Sequence, residues 1–441
     1  MEDNSKTPFD EYSEKRVILY NENNNKKKSK SKKIKIKKFL SQATDKIKNK
    51  IIKYNVKFNN NNNNNNNENT NNKKIKKERN PGIDLVRLIS MYFIIINHIL
   101  YKGNIFKIYP KYKRQIILLH IFTDFHNNAF ILISGIVGYK TNRYSNLLYL
   151  WLTVYFYAVT IHIYVIKFKK DFLLTHDINK DYYPIIYERY WFFTAYFGMY
   201  LFLPIINKGI EYLSKLEFKL VVMSILGIFV FWRDYKNPKK DIFKLSQGNS
   251  VLWFQIFYIT GAFIGKYRVN YSGLKKFFYC FICFFIYYLS SYLYYKSFFN
   301  ELPIRKGHYQ KQIILILKGI LTERFDSFLK IAQSTAVCLF FMQINYNKYI
   351  AKIICFLGPL VFGIYLIHAH PLINDNVLKH IFDNEPRDLR LNAIIKFVLW
   401  KSVKIFFFGI FVDYFRNLLF NLLRLKKIFM FVEMKIYEIF G

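Results

Sequence analysis

The stretch IDLVRLISMYFIIINHIL, residues 83–100, is apolar over the length of a membrane crossing yet carries Asp84, Arg87 and His98. An Asp or Arg at the centre of a bilayer helix costs about 2.5–3.5 kcal/mol on insertion scales, so residues of this kind in such a place have a partner or a task. Asn80-Pro81 supplies a start signal, with Asn as N-cap and Pro in the first turn, and the helix is expected to run from there. At about 100° per residue, Arg87 and His98 fall within about 20° of one bearing and lie about 16 Å apart along the axis. One face therefore carries a cation near its start and an imidazole deep in the apolar run. Asp84 sits one turn before Arg87 and is placed to pair with it, which lowers the cost of seating the arginine inside the bilayer. The bland reading of the same residues has Arg87 reaching out to lipid phosphates and His98 hydrogen-bonded to a neighbouring helix.

Outward from this helix the chain keeps the same character. Of its 441 residues 52% are hydrophobic and 20% aromatic, in long blocks with few Gly and Pro, which excludes an ordinary soluble domain. Apolar blocks of spanning or near-spanning length fall at 82–101, 115–138, 146–166, 190–207, 218–232, 251–265, 276–296, 328–345, 349–370 and 391–415. The expected fold is thus all-α, a polytopic transmembrane bundle of about ten helices over residues 81–415. No internal repeat of the inverted-transporter kind stands out. Residues 416–441 alternate apolar clusters with Arg424, Lys426, Lys427 and Lys435, the pattern of an amphipathic helix on a membrane surface.

The net charge of +38 does not describe a nucleic-acid surface, because basic residues recur in the loops between apolar blocks instead of forming one stripe. Residues 1–80 differ from the rest. They hold 22 Lys or Arg against nine Asp or Glu, the cluster KKKSKSKKIKIKK, and nine consecutive Asn from Asn59 to Asn67. Such a stretch has too little apolar surface to offset the entropy of ordering and is expected to be disordered. It has no apolar core of a signal peptide, and its charge is expected to hold it on the cytoplasmic side of a multi-pass protein. Loops 139–145, 208–217, 266–275 and 346–348 are then cytoplasmic, and 167–189, 233–250, 297–327 and 371–390 face outward.

Cys280, Cys283, Cys338 and Cys355 all lie in apolar blocks, where a small buried thiol is expected and a disulfide is not. The Cys280–Cys283 spacing has no second pair of ligands to make a metal site. His368 and His370 are two residues apart, on different bearings of a helix and without an evident third ligand. His120, His126 and His162 are expected to make interhelical hydrogen bonds.

Four stretches together resemble membrane acyltransferase family 3. PGIDLVRLISMYFIIINH at 81–98 is similar to the family's first helix, whose signature of an Arg and a His separated by ten residues is met by Arg87 and His98. AFILISGIVGY at 129–139 resembles its Ser-Gly motif, RYWFFTAYFGMYLFLPIIN at 189–207 its Trp-Phe, Tyr and Pro helix, and GIYLIHAHPLI at 363–373 its late Tyr-Leu-Ile-His element. Where many members carry Arg-x-x-Arg after the second helix, this chain has Lys140-Thr-Asn-Arg143, followed by Asn146.

The resemblance implies transfer of an acyl group, commonly acetyl, from cytoplasmic acyl-CoA to a hydroxyl of a carbohydrate or other acceptor at the membrane, with acyl-CoA as a substrate and no bound cofactor or metal. Arg87, helped by Arg143 and Lys140, would hold the phosphates of the nucleotide. His98 would act at the thioester as general base or as acyl carrier. Asp84, Asn127, Asn128, Ser134, Tyr196 and His368 complete the candidate site. A competing reading, also served by intramembrane Arg and His, is a transporter or flippase-like carrier whose path Arg87 and His98 line.

Overall fold

The computed structural model describes residues 79–141, 143–169, 171, 178–232, 241–299 and 324–440. The basic tail up to residue 78, with its Asn run, lies outside these residues, as do 233–240 and 300–323. The chain divides into a unit of residues 75–426 and a second unit that contains the C-terminal segment from Lys427.

Helix α1 spans Pro81–Lys102 and starts as its sequence dictates. The Asn80 side chain accepts from the amides of Gly82 at 2.9 Å and Ile83 at 3.4 Å, Pro81 opens the helix, and Asp84 sits in the first turn. Around it are α2 (Lys113–Thr123), α3 (His126–Gly138), α4 (Tyr144–Phe168), α5 (Trp191–Leu201), α6 (Leu203–Tyr212), α7 (Lys215–Leu226), α8 (Val251–Tyr267), α9 (Gly273–Phe298), α10 (Phe328–Gln343), α11 (Lys348–Leu357), α12 (Val361–His368) and α13 (Leu391–Leu422). Packed directly on α1 are α2, α3, α10, α11, α12 and α13, so the helix that carries Arg87 and His98 lies inside the bundle. The described residues are helices, turns and loops, with no strand among them.

Every apolar block read from the sequence is helical, but among the described residues five spans are long and apolar enough to cross a membrane: Pro81–Lys102, Pro110–Gly138, Tyr144–Phe168, Gly273–Phe298 and Lys348–His368. Phe328–Gln343 is apolar but shorter. Several expected single helices are broken. Pro204 divides 190–207 into α5 and α6 because a proline has no amide to continue the ladder, and Gly358-Pro359 divides 349–370 into α11 and α12 in the same way. The block 115–138 breaks at Asp124-Phe125 between α2 and α3. At the other end α13 passes residue 415 and stops at Leu422, with Arg424 at φ +53° in the turn that follows. Arg416 therefore belongs to this helix, where its guanidinium grips Asp413 at 2.9 and 2.7 Å. The last helix, α14 (Leu425–Phe440), begins just before the unit boundary, and in the second unit it pairs Lys435 with Glu438 at 2.6 Å.

The tightest helix pair is α3 with α8, and its residues explain why. A methyl group on Gly135 would overlap the Tyr258 carbonyl, and one on Gly261 the Leu132 carbonyl. Gly261 and Gly265 form a G-x-x-x-G face that lets the two backbones touch. The outside of the bundle is apolar: on α9, Phe277, Phe281 and Phe284 are 64%, 58% and 60% exposed. Such a face on one long helix is suited to lipid rather than water.

Candidate functional site

Arg87, Met91, Ile94, His98 and Lys102 recur every three or four residues, so one stripe of α1 lines a single cavity of about 650 Å³. At 1.5 Å per residue that stripe is about 22 Å long, with a cation at each end and His98 between them. The facing wall comes from α3, through Asn127, Phe130 and Ser134, from α5, through Trp191 and Tyr196, and from the Gly358-Pro359 break with Tyr365 of α12. The break between α11 and α12 is thus part of the wall. An unbroken helix over 349–370 would not present Gly358 and Pro359 to the cavity.

At one end Arg87 is held by Asp84. Its Nη1 donates to Asp84 Oδ1 at 2.6 Å, and Arg79 pairs with the same carboxylate, which is fully buried behind both arginines. A buried carboxylate shared between two guanidiniums fixes Arg87 without consuming its whole fork of donors. Ser134 Oγ donates back to the Phe130 carbonyl at 2.9 Å and keeps its lone pairs for another donor.

In the middle, His98 is half-buried. Its Nδ1 is buried without a hydrogen-bond partner among the described residues, which leaves Nε2 to meet a ligand. The His368 ring of α12 lies behind it, with ring centres 5.0 Å apart.

The other end holds a buried polar cluster built around the break between α2 and α3. Asn97, next to His98 in sequence, accepts from His120 Nδ1 at 2.8 Å and from Thr123 Oγ1 at 3.1 Å, and its amide donates to His126 Nε2 at 3.0 Å. Asp124 lies between the two imidazoles, 3.4 Å from His120 and 3.6 Å from His126, and forms an ion pair with Lys330 of α10. Lys330 is 1% exposed and also lies over the Tyr294 ring at 4.3 Å from its centre. Charge of this depth is stable only when paired, and here it is.

Of the residues singled out in the sequence, Arg87, His98, Asn127, Ser134 and Tyr196 meet on this one cavity. Asp84, Asn128, His368 and Arg143 do not line it. Asp84 holds Arg87, as expected, and His368 backs His98. Asn128 donates to the Phe325 carbonyl at 2.6 Å and accepts from Trp253 Nε1 at 3.2 Å, so it fastens the chain segment that puts the Phe325 ring over the cavity. The Arg143 carbonyl accepts from Tyr200 at 3.1 Å in the turn before α4. His120 and His126 make the interhelical bonds expected of them and border the cavity as well. His162 bonds Asp181 at 3.0 Å elsewhere. Asn97, Asp124 and Lys330 were not foreseen from the sequence. Two charges inside apolar blocks, Asp124 in FTDFHNN and Lys330 in FLKIAQ, are the signal that could have found them.

All four cysteines are free thiols. Among the described residues no group of three His, Cys, Asp or Glu side chains is arranged to hold a metal ion.

A family model described as an acyltransferase domain matches residues 80–412, from the N-cap of α1 almost to the end of the bundle. No curated protein and no solved structure matches the chain.

Proposed function

Because the chain belongs to membrane acyltransferase family 3, we propose that it transfers an acyl group, acetyl first among them, from acyl-CoA to a hydroxyl of a carbohydrate or similar acceptor at the membrane. The observation that carries this reading is the placement of Arg87 and His98 on one stripe of α1, lining one cavity with a polar cluster at its far end. A donor that is anionic at one end and a thioester at the other matches a site with a fixed guanidinium at its rim and an imidazole about 16 Å further along. We place the Arg87 end toward the cytoplasm, where acyl-CoA is found, because the basic tail precedes it. The protein then crosses the membrane several times.

In this scheme Arg87, oriented by Asp84, binds the phosphates of the nucleotide, and the pantetheine arm follows the apolar part of the stripe past Met91 and Ile94. The thioester comes to rest at His98. There Nε2 takes the proton of the acceptor hydroxyl as its oxygen bonds to the carbonyl carbon. The carbon–sulfur bond breaks, and the same proton passes to the departing thiolate. Asn127 and Tyr196 line the cavity and are assigned as donors to the oxyanion, and fixed donors aimed at that developing charge usually lower an acyl-transfer barrier more than any other single effect. The acceptor enters from the Lys102 end, past the cluster formed by His120, Asp124 and His126.

The test is transfer of radioactive label from acetyl-CoA, with longer acyl-CoA donors alongside, in membranes holding equal amounts of wild type, His98→Ala and Arg87→Ala. Loss of His98 is expected to lower transfer by about 10²-fold or more. Loss of Arg87 is expected to raise the donor concentration required by about tenfold, the equivalent of one charge-assisted contact. If all three label no more than membranes without the protein, with every donor tried, the acyltransferase reading fails.

A further inference from the structure

We propose that His368 is a positioning residue that fixes His98 as the base, through a chain of contacts from the Ile364 carbonyl to His368 Nδ1, and from His368 Nε2 to His98 Nδ1. The inference rests on the acyltransferase reading for its kinetic consequence and on geometry alone for its structural one.

The first link is present in the structure. His368 Nδ1 lies 2.6 Å from the Ile364 carbonyl oxygen, and a carbonyl can only accept, so Nδ1 carries the proton and the neutral ring has its lone pair at Nε2. That Nε2 is buried and has no partner among the described residues. The neighbouring ring offers the complement. His98 Nδ1 is also buried without a partner, and the two ring centres are 5.0 Å apart with their planes inclined at 48°. An imidazole nitrogen lies about 1.1 Å from its ring centre, so two rings sharing an N–H···N bond of about 2.9 Å have centres about 5 Å apart. The ring separation matches that of a bonded pair, and the proposed contact requires the His98 ring to turn its Nδ1 onto His368 Nε2. Closing that contact removes two buried unsatisfied nitrogens at once, each of which otherwise costs about 1–3 kcal/mol.

The two rings differ in freedom, and this sets the direction of control. His368 is anchored at Nδ1, and its helix is pinned where Tyr190 donates to the Leu366 carbonyl at 3.0 Å. His98 has no such anchor. With its Nδ1 proton given to His368, His98 holds its lone pair at Nε2, the nitrogen on the cavity side. When Nε2 takes the acceptor's proton, the imidazolium that forms is stabilised by His368 Nε2. The proton then leaves from Nε2 to the thiolate sulfur, and both rings return to their starting tautomers. Without the second ring, His98 divides between two tautomers, one of which blocks the base.

The experiment compares wild type, His368→Phe and His368→Gln in detergent-purified full-length protein with labelled acetyl-CoA. Phe keeps the bulk and removes the acceptor, whereas Gln returns an acceptor near the position of Nε2. His368→Phe is expected to lower kcat by about 10²-fold with the KM for acetyl-CoA unchanged. His368→Gln is expected to recover about tenfold of that loss. A purely packing role predicts equal defects in both, and wild-type turnover in His368→Phe overturns the inference outright. Nitrogen NMR of histidine-labelled wild type, with His98 assigned by its loss in His98→Gln, reads the tautomer without any assay and without a His368 variant. A proton on Nδ1 of His98 supports the chain of contacts, and a proton on Nε2 overturns it. Absence of acyl transfer by wild type with an Nδ1 proton would fell the acyltransferase reading and leave the pairing standing.

Discussion

Lys330 is the residue whose removal the bundle should tolerate least. Its ammonium is buried, its partner Asp124 is buried, and the two are 206 positions apart in sequence. Lys330→Met takes the only ammonium from the Asp124 carboxylate among the described residues and leaves it beside two imidazoles in a low-dielectric site, a change expected to cost about 3–5 kcal/mol. Replacing both, as Asp124→Asn with Lys330→Met, removes the unpaired charge and is expected to return most of that stability. Thermal unfolding of the detergent-purified forms decides it: the pair contributes nothing if the double variant melts at the temperature expected from adding the two single effects. The same residues mark the limit of what the sequence discloses. Arg87, Asp84 and His98 were legible because the periodicity of one helix is enough to bring them together. Asp124 and Lys330 were not, since nothing local in either segment names the other as its partner. Tyr196 and Ser134 came from family likeness alone, and the helix break at Asp124, which delivers the polar end of the cavity, has no proline or glycine to announce it.

At the scale of elements the contact between α3 and α8 sets the depth of the site, because α3 brings Asn127 and Ser134 to the wall while its other face lies against α8. Gly261→Val would drive a branched side chain into the Leu132 carbonyl, with rigid backbone on the receiving side. The expected result is loss of monodisperse protein on extraction, read as a shift to aggregate in size-exclusion chromatography. Gly209 of α6 is the control, since a methyl group there meets no atom within 4 Å. Gly209→Ala should behave as wild type or gain about 0.5–1 kcal/mol from the lower entropy of the unfolded chain. Equal behaviour of the two variants would show that the backbones of α3 and α8 are not pressed together. The Gly261-x-x-x-Gly265 spacing was in the sequence, but a spacing does not say which helix it faces. The prolines that break 190–207 and 349–370 were in the sequence, but both stretches read as single apolar helices, because hydropathy over a span masks a break within it; that one break forms a cavity wall became evident only from the packing around α1.

Across the whole molecule, the cavity has unlike ends, and the direction of the chain through the membrane decides which end would meet the proposed acyl-CoA donor. A tail with 22 basic residues ahead of α1 argues for a cytoplasmic start. α1 then delivers the Gly103-Asn104 turn, where Asn104 is exposed, to the opposite face. The expectation can be checked with Ser5→Cys and Asn104→Cys in sealed vesicles whose cytoplasmic face is outward, using a maleimide that does not cross membranes and wild type as background for the four native thiols. Ser5→Cys should label at once, and Asn104→Cys only after detergent opens the vesicles. Labelling in the reverse order would turn the molecule over. The Lys102 end, with His120, Asp124 and His126, would then face the acyl-CoA pool, and an anionic nucleotide would have to enter past a carboxylate instead of onto a guanidinium. Arg87→Ala would in that case leave the donor requirement unchanged, so the orientation measurement and the donor titration must agree for the proposed division of the cavity to hold.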